Sequence, residues 1–142
     1  MRILAVDLGL ARTGLAISDA EERLASPLET LTEHNLERLA ERIVTIAAEH
    51  NAEALVVGHP RNMDGTRGES ARRAEAFAET LQSRTGLPTE LWDERLTTVS
   101  AIGILNQADV RGKKRKQVVD TVAATLILED YMAARRNRGG AL

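Results

Sequence analysis

RILAVDLGLARTGLAISD, residues Arg2–Asp19, contains two strand-like segments joined by a short loop. The runs Arg2–Leu8 and Thr13–Ser18 are typical of strands, and the few residues between them are short enough to form a hairpin. The first strand stops at a carboxylate, Asp7, and Gly9 follows two residues later. An aspartate in this place often only caps a turn, so its meaning depends on where the other carboxylates of the chain fall.

The remainder of the chain alternates between helical and strand patterns. Apolar residues between Leu36 and Ala47 recur every three or four positions, as on the buried face of a helix. The predicted order is three strands, a helix, a strand, a helix, a strand and two helices, over residues 2–8, 13–18, 24–31, 36–47, 53–58, 70–84, 89–94, 97–107 and 116–135. Strand–helix–strand units after a meander predict a mixed sheet in an α/β fold. Residues 1–136 are predicted to form one domain, and residues 137–142 a flexible C-terminal tail.

Composition narrows the classes of protein to consider. The 142 residues suit one domain, and 28% charged residues with a net charge of −2 are ordinary for a globular protein. The absence of cysteine excludes disulfides and thiolate metal sites. No apolar run approaches the roughly 20 residues that span a bilayer, and Asp7 interrupts any signal-peptide pattern, so we expect no membrane contact and a cytoplasmic location. Three scattered aromatic residues argue against a base-stacking platform of the RRM or OB type.

Positive charge is concentrated in two short segments. RGKKRK, residues 111–116, holds five cations in six residues, and RRNR, residues 135–138, holds three in four. Such clusters can bind phosphate backbones, although a solvated basic loop and a solvated tail would have the same composition. Composition alone leaves both interpretations open.

Three places along the chain carry carboxylates with unusual surroundings. Asp7 ends the first strand, and Asp93 and Glu94 end the fifth, where neighbouring side chains point to opposite faces, so at most one of the pair can serve a given site. Asp120 shares a helical stripe with Ala124 and Ile127, which predicts a carboxylate on an apolar face. Such a group needs a partner, because burying an unpaired charge is costly. Fraying at the end of the helix, or a salt bridge to nearby Lys116, is the alternative for Asp120.

Taken together, these carboxylates could converge on one point. Clustered anions repel each other unless cations lie between them, and ligation by oxygen alone suits Mg²⁺ or Mn²⁺ rather than zinc. Two such ions can activate water and stabilise both oxygens of a phosphodiester displacement. The convergence itself is an expectation from the order of the elements.

Four segments of the chain resemble the YqgF family of pre-ribosomal-RNA nucleases, relatives of the RuvC-type Holliday-junction resolvases. The segments occur in the family's order and cover nearly the whole chain: VDLGLARTGLAISD, VVGHPRNMDGTRGE, DERLTTVSA and KQVVDTVAATLIL. The resemblance implies a ribonuclease H-like α/β fold, with a five-stranded mixed sheet and helices on both faces. It also implies that strands one to three are antiparallel and that strands four and five lie beside the first.

The family's three-carboxylate site matches Asp7, Glu94 and Asp120, so the resemblance implies that these residues are catalytic and bind Mg²⁺ or Mn²⁺. This match selects Glu94 over Asp93. Cations close to these positions in sequence are expected to contact the phosphates of the substrate, and we identify them as Arg12, Arg95, Lys113, Lys114, Arg115 and Lys116.

Two positions depart from the family pattern. Ala11 stands where members usually carry lysine, and His59 replaces a residue that is commonly apolar. We interpret His59 as a surface-loop histidine rather than as part of the site.

The expected function is a metal-dependent endonuclease on nucleic acid, most simply the precursor of 16S ribosomal RNA at its 5′ end. The expected partner is structured RNA or branched DNA, and the expected state is a monomer or a weak homodimer. The alternatives are a Holliday-junction DNA resolvase and a non-catalytic, nucleic-acid-binding assembly factor. DLGLARTG also resembles the phosphate-binding loop of actin-like ATPases and sugar kinases, but those proteins need two such lobes, and 142 residues supply one.

Overall fold

The computed structural model describes residues 1–60, 64–94 and 112–138, and for residues 112–121 it describes the helical backbone alone. The elements in chain order are β1 (Ile3–Asp7), β2 (Arg12–Ser18), β3 (Ala25–Thr32), α1 (Leu36–Glu49), β4 (Ala54–His59), α2 (Glu69–Thr85), β5 (Thr89–Asp93) and α3 (Gly112–Asn137). The helix predicted over residues 97–107 lies outside the described residues.

The five strands form one mixed sheet in the order β3-β2-β1-β4-β5. β1 pairs antiparallel with β2, and β2 pairs antiparallel with β3, as short connections allow. β4 lies parallel to β1, and β5 lies parallel to β4, because a helix crosses over before each of them. The predicted mixed sheet and the predicted neighbours of the first strand are confirmed.

Helices cover both faces of the sheet, and the alternation of side chains along each strand supplies a core to each face. On one face, residues such as Leu4, Val6 and Val57 pack with the buried faces of α1 and α2. On the other face, residues such as Ala5 and Val56 pack with α3. Strands that are buried on both sides read as continuous apolar runs, which explains the sequence pattern of β1 and β4.

Local signals explain where α1 and α2 begin and end. The side chain of Asn35 caps α1 by accepting a hydrogen bond from the backbone N–H of Arg38 at 3.0 Å. α2 ends at Gly86, which has a φ of 72° and donates its N–H to the carbonyl of Gln82. The buried residues of α2 recur every three or four positions, as on one face of a helix: Ala71, Ala74, Phe77, Ala78 and Leu81.

Several predicted boundaries are wrong. Leu24 was placed in the third strand, but β3 begins at Ala25 and Leu24 is 62% exposed in the preceding turn. The final helix begins at Gly112 rather than Lys116, so Lys113–Lys116 lie in its first turns and not in a loop. Lysine and arginine are good helix formers, which the interpretation as a basic loop did not take into account.

The interpretation of RRNR as a solvated, fraying tail is also wrong for its first residue. Arg135 is buried in α3 and forms two hydrogen bonds with the carboxylate of Glu22, the shorter at 2.6 Å between Nε and Oε1. The same carboxylate accepts a hydrogen bond from the Met1 ammonium group at 3.0 Å. This ion-pair cluster ties the end of α3 to the start of the sheet. α3 ends at Asn137. The division into a domain of residues 1–136 and a flexible tail of residues 137–142 stays a prediction.

Within the described ranges, none of the helices combines the length and the apolar character needed to cross a membrane.

The packing of α3 predicts a large effect for a truncation in its core face. Leu128 is fully buried, so Leu128→Ala should lower the free energy of unfolding by about 2–5 kcal/mol, measured by urea denaturation. Leu24→Ala, at an exposed leucine, is the control and should change it by less than about 0.5 kcal/mol. Equal effects of the two substitutions would contradict the placement of α3 on the sheet.

Candidate functional site

The alternation of side chains along the strands places two of the predicted carboxylates on the same face of the sheet. Ile3 and Ala5 of β1 pack under α3, so Asp7, two residues further, lies on that face. Trp92 of β5 also packs on the α3 side, and Glu94 follows it by two residues. Asp93, between them, points to the opposite face. The structure therefore brings Asp7 and Glu94 to one end of the sheet on one side.

The carboxyl groups of Asp7 and Glu94 are in direct contact through a side-chain hydrogen bond. Glu94 is only 8% exposed, and this burial raises the pKa of its carboxyl group above the ordinary value. The hydrogen bond to Asp7 and the charge of His59 lower this pKa by smaller amounts, and the charge of Asp93 raises it. Two carboxyl groups this close favour a proton or a cation between them, because two bare carboxylates repel each other.

Two glycines lie beside this pair of carboxyl groups. Gly14 pairs directly with Asp7 across the β1–β2 ladder, and it presents no side chain beside the carboxylate. At Gly58 of β4, a Cβ atom would lie 2.6 Å from Cδ and 2.7 Å from Oε2 of Glu94. No real Cβ atom approaches another group so closely, so glycine is required there for Glu94 to occupy its position. Sequence reasoning missed this role, although a glycine at the end of an apolar strand is a signal of close approach.

The loop between β1 and β2, residues 8–11, is held from both sides. A Cβ atom on Gly9 would lie 2.1 Å from the carbonyl oxygen of Arg12, so the loop is wound too tightly for any side chain there. Arg73 of α2 donates from Nη2 to the carbonyl oxygen of Gly9 at 2.8 Å. On the other side, the N–H of Glu33 donates to the carbonyl oxygen of Ala11 at 3.0 Å. Nothing in the sequence pattern identified Arg73.

His59 is the last residue of strand β4 and does not lie in a surface loop, so its interpretation from the sequence is wrong. It ends β4, its side chain is 12% exposed, and its Nε2 lies 2.7 Å from Oε2 of Glu75 on α2. Arg67 donates two hydrogen bonds to the same carboxylate, at 2.8 and 2.9 Å. The hydrogen bond from His59, followed by that from Arg67, lowers the pKa of Glu75. His59 thus faces α2, on the side of the sheet opposite Glu94.

The remaining predicted site residues are described only in part or not at all. Asp120 lies within α3, one turn before Ala124, whose side chain packs on the same face of the sheet as Asp7. Lys113, Lys114, Arg115 and Lys116 lie in the first turns of α3, and Arg95 lies outside the described residues. Arg12 begins β2 next to the braced loop.

Among the described side chains, which exclude residues 61–63, 95–121 and 139–142, no group of three histidines, cysteines or acids is placed to hold a metal. The third predicted ligand, Asp120, belongs to the excluded set. Asp7 and Glu94 alone supply a pair of oxygen ligands, which is the chemistry that Mg²⁺ and Mn²⁺ prefer.

The chain is similar to proteins with nuclease names over nearly all of its length. The family model RuvX, described as Holliday junction resolvase, matches residues 1–134. A protein of Lachnospira eligens named "Putative pre-16S rRNA nuclease" is 46% identical over 139 residues, which cover 96% of this chain and 99% of that protein. A protein of the same name from Chloroflexus aurantiacus is 44% identical over 135 residues, covering 95% and 88%.

Two kinds of resolvase share the fold. The RuvC chain of T. thermophilus in complex with a Holliday junction substrate aligns with a TM-score of 0.63 at 16% identity, over 96% of both chains. The fowlpox virus Holliday junction resolvase aligns with a TM-score of 0.58 at 16% identity, over 94% of this chain and 99% of that chain. At such low identity the likeness concerns the fold, and it confirms the predicted ribonuclease H-like arrangement. The family model and the two relatives match nearly the whole sequence, in agreement with the resemblance to the YqgF-type nucleases. The chain therefore belongs to the RuvX family.

Proposed function

We propose that this protein is a metal-dependent endonuclease that hydrolyses phosphodiester bonds in structured RNA, at the 5′ end of the 16S ribosomal RNA precursor. The observation that carries the proposal is the contact between Asp7 and the buried Glu94, whose position requires a glycine at residue 58. The names of the Lachnospira and Chloroflexus relatives supply the substrate. Processing of ribosomal RNA in a bacterium would place the protein in the cytoplasm.

The proposed ligands of Mg²⁺ or Mn²⁺ are Asp7, Glu94 and Asp120. The residues that the structure describes fit such ions, because the carboxyl group of Asp7 contacts that of the buried Glu94, and two adjacent carboxyl groups favour a divalent cation between them. When bound, the ions supply a nucleophile at neutral pH and stabilise the charge that develops on the phosphate oxygens.

The other residues of the site would position the substrate. Gly58 leaves the room that the Glu94 carboxyl group needs, and Gly14 presents no side chain opposite Asp7. Arg12 at the start of β2 is proposed to bind a phosphate beside the reacting bond. Arg95 and the cations Lys113, Lys114, Arg115 and Lys116 are proposed to bind the backbone further along.

A Holliday-junction resolvase is the second candidate, because the family model carries that description. Symmetric cleavage of a four-way junction needs two active sites and hence a dimer, whereas processing of one RNA strand needs one. We propose a monomer or a weak homodimer. A cleavage panel with ribosomal precursor, single-stranded RNA and a four-way DNA junction separates the two functions.

Substitution of the paired carboxylates tests the mechanism. Asp7→Asn and Glu94→Gln should each lower the rate of Mg²⁺- or Mn²⁺-dependent cleavage by at least about a hundredfold, because each removes a ligand that also neutralises the ions. Asp93→Asn is the matched control, since Asp93 adjoins Glu94 but faces away from Asp7, and it should keep most of the activity. Full activity of Asp7→Asn, or equal loss in Asp93→Asn, would exclude the proposed site.

A single methyl group at Gly58 should also inactivate the enzyme. In Gly58→Ala the added Cβ forces the Glu94 carboxyl group away, and a displacement of about 1 Å at a catalytic group costs on the order of a hundredfold in rate. Initial cleavage rates and Mn²⁺ binding by calorimetry measure the effect. Gly68→Ala, at a position before α2 with a φ of −89°, is the control and should behave like the wild type. Wild-type rates for Gly58→Ala would show that Glu94 is not needed where it lies.

The stability of the metal-free protein should depend on pH through Glu94. Burial raises the pKa of Glu94 above 4.5, so the folded state binds its proton more tightly than the unfolded state. The stabilisation is fully present below pH 4.5 and is lost as the pH rises through the folded pKa. Urea denaturation in a chelator should therefore show that Glu94→Gln gains stability relative to the wild type towards neutral pH. A difference that does not vary with pH would contradict this linkage.

A further inference from the structure

The loop that follows Asp7 presents a leucine to solvent. Leu10 is 78% exposed, the highest value among the large apolar side chains of the described residues. Leu8, two positions earlier, packs against the core under α1 and α2 instead. The loop therefore buries one leucine and exposes the other.

This exposure does not come from a loosely attached loop. Arg73 holds the carbonyl of Gly9, the backbone of Glu33 holds the carbonyl of Ala11, and Gly9 is wound against the carbonyl of Arg12. Leu10 lies between these anchor points, so the backbone is fixed on both sides of it. A braced backbone can present an apolar side chain to a partner with little loss of conformational entropy on binding.

The position of Leu10 relative to the carboxylates limits what it can contact. Leu10 lies three positions after Asp7 in the chain, so the two Cα atoms are at most about 10 Å apart. Along a nucleic acid strand that rises about 3.4 Å per nucleotide, this corresponds to one to three nucleotides from the reacting phosphate. Arg12, two residues further along, is the cation proposed to bind that phosphate.

We propose that Leu10 makes an apolar contact with a nucleobase of the substrate next to the cleaved bond. This inference rests on the proposed nuclease function and names a further substrate-binding residue for it. Apolar side chains that insert against base steps are a recurrent device of nucleic-acid-binding proteins, and this chain has few aromatic residues to stack on bases instead. Leu10 would bind and orient the strand without taking part in the chemical step.

A pair of matched leucine variants tests the proposal. Leu10→Ser should weaken binding of the cleaved RNA or junction by about five- to fiftyfold, because partial burial of one leucine side chain contributes a free energy of that size. Leu10→Met keeps an apolar side chain and should bind nearly as well as the wild type. Leu24→Ser is the control, because Leu24 is also exposed at 62% but lies in the β2–β3 turn at the opposite end of the sheet. It should bind like the wild type.

Further measurements separate an apolar base contact from other roles. For Leu10→Ser, KM should rise while kcat and the Mg²⁺ dependence of cleavage stay unchanged, and the slope of log Kd against log salt should equal that of the wild type. Arg12→Gln should instead lower that slope, because a phosphate contact is lost. The binding titrations use proteins that also carry Asp7→Asn, so that the substrate is not cleaved in the presence of Mg²⁺.

The outcomes distinguish this proposal from the function on which it rests. If the wild type cleaves nucleic acid but Leu10→Ser binds as well as Leu24→Ser, the role of Leu10 is refuted and the nuclease function stands. A fall in kcat or in metal affinity for Leu10→Ser would also refute it, since that result indicates a structural role. If the wild type neither binds nor cleaves any substrate of the panel, both proposals are wrong.

Discussion

The alternation of side chains along β1 and β5 is the constraint on which the candidate site depends. Asp7 and Glu94 come from strands separated in the sheet by β4, and both meet on the α3 side only because each occupies the correct parity in its strand. A shift of one residue in either parallel pairing would turn one carboxylate towards α2. The large apolar residues of β4, which are buried on both faces, fix that register.

The contact between these two acids is unfavourable for folding unless something compensates for it. A buried carboxylate loses its hydration, and this burial raises the pKa of Glu94. Gly58 leaves the room that the Glu94 carboxyl group occupies, and Gly14 presents no side chain opposite Asp7. The burial of Glu94 thus costs stability, which is common where a fold holds polar groups for a function.

The fold could be predicted from the sequence to a large extent, because its signals are local and strong. Apolar runs, helical periodicity and turn residues identified every described element, and Gly86 marked the end of α2. Errors arose where two local preferences competed. The dense positive charge of Lys113–Lys116 is common in solvated loops, but lysine and arginine also have a high helix propensity. Arg135 has the sequence context of a tail but meets Glu22, a partner from the other end of the chain.

The candidate site could be predicted only in part, because its contacts are not local. Spacing predicted that Asp93 and Glu94 point in opposite directions, and the family resemblance selected Glu94, but the contact of Glu94 with Asp7 follows from strand pairing. The position of Gly58 at the end of an apolar strand indicates a close approach, but its partner Glu94 is identified only by the distance in the structure. The hydrogen bond from Arg73 to the loop after Asp7 likewise joins residues that are distant in sequence.

The separation of Asp7 and Glu94 along the chain has a consequence for biogenesis of the protein itself. During synthesis β1, β2 and β3 emerge first and can pair through short-range contacts, whereas β5 can join only after β4 has crossed to the other side of β1. Glu94 reaches Asp7 at the end of this order, when nearly the whole sheet is in place. A nascent chain that has not yet added β5 therefore lacks the carboxylate pair and cannot form the proposed site.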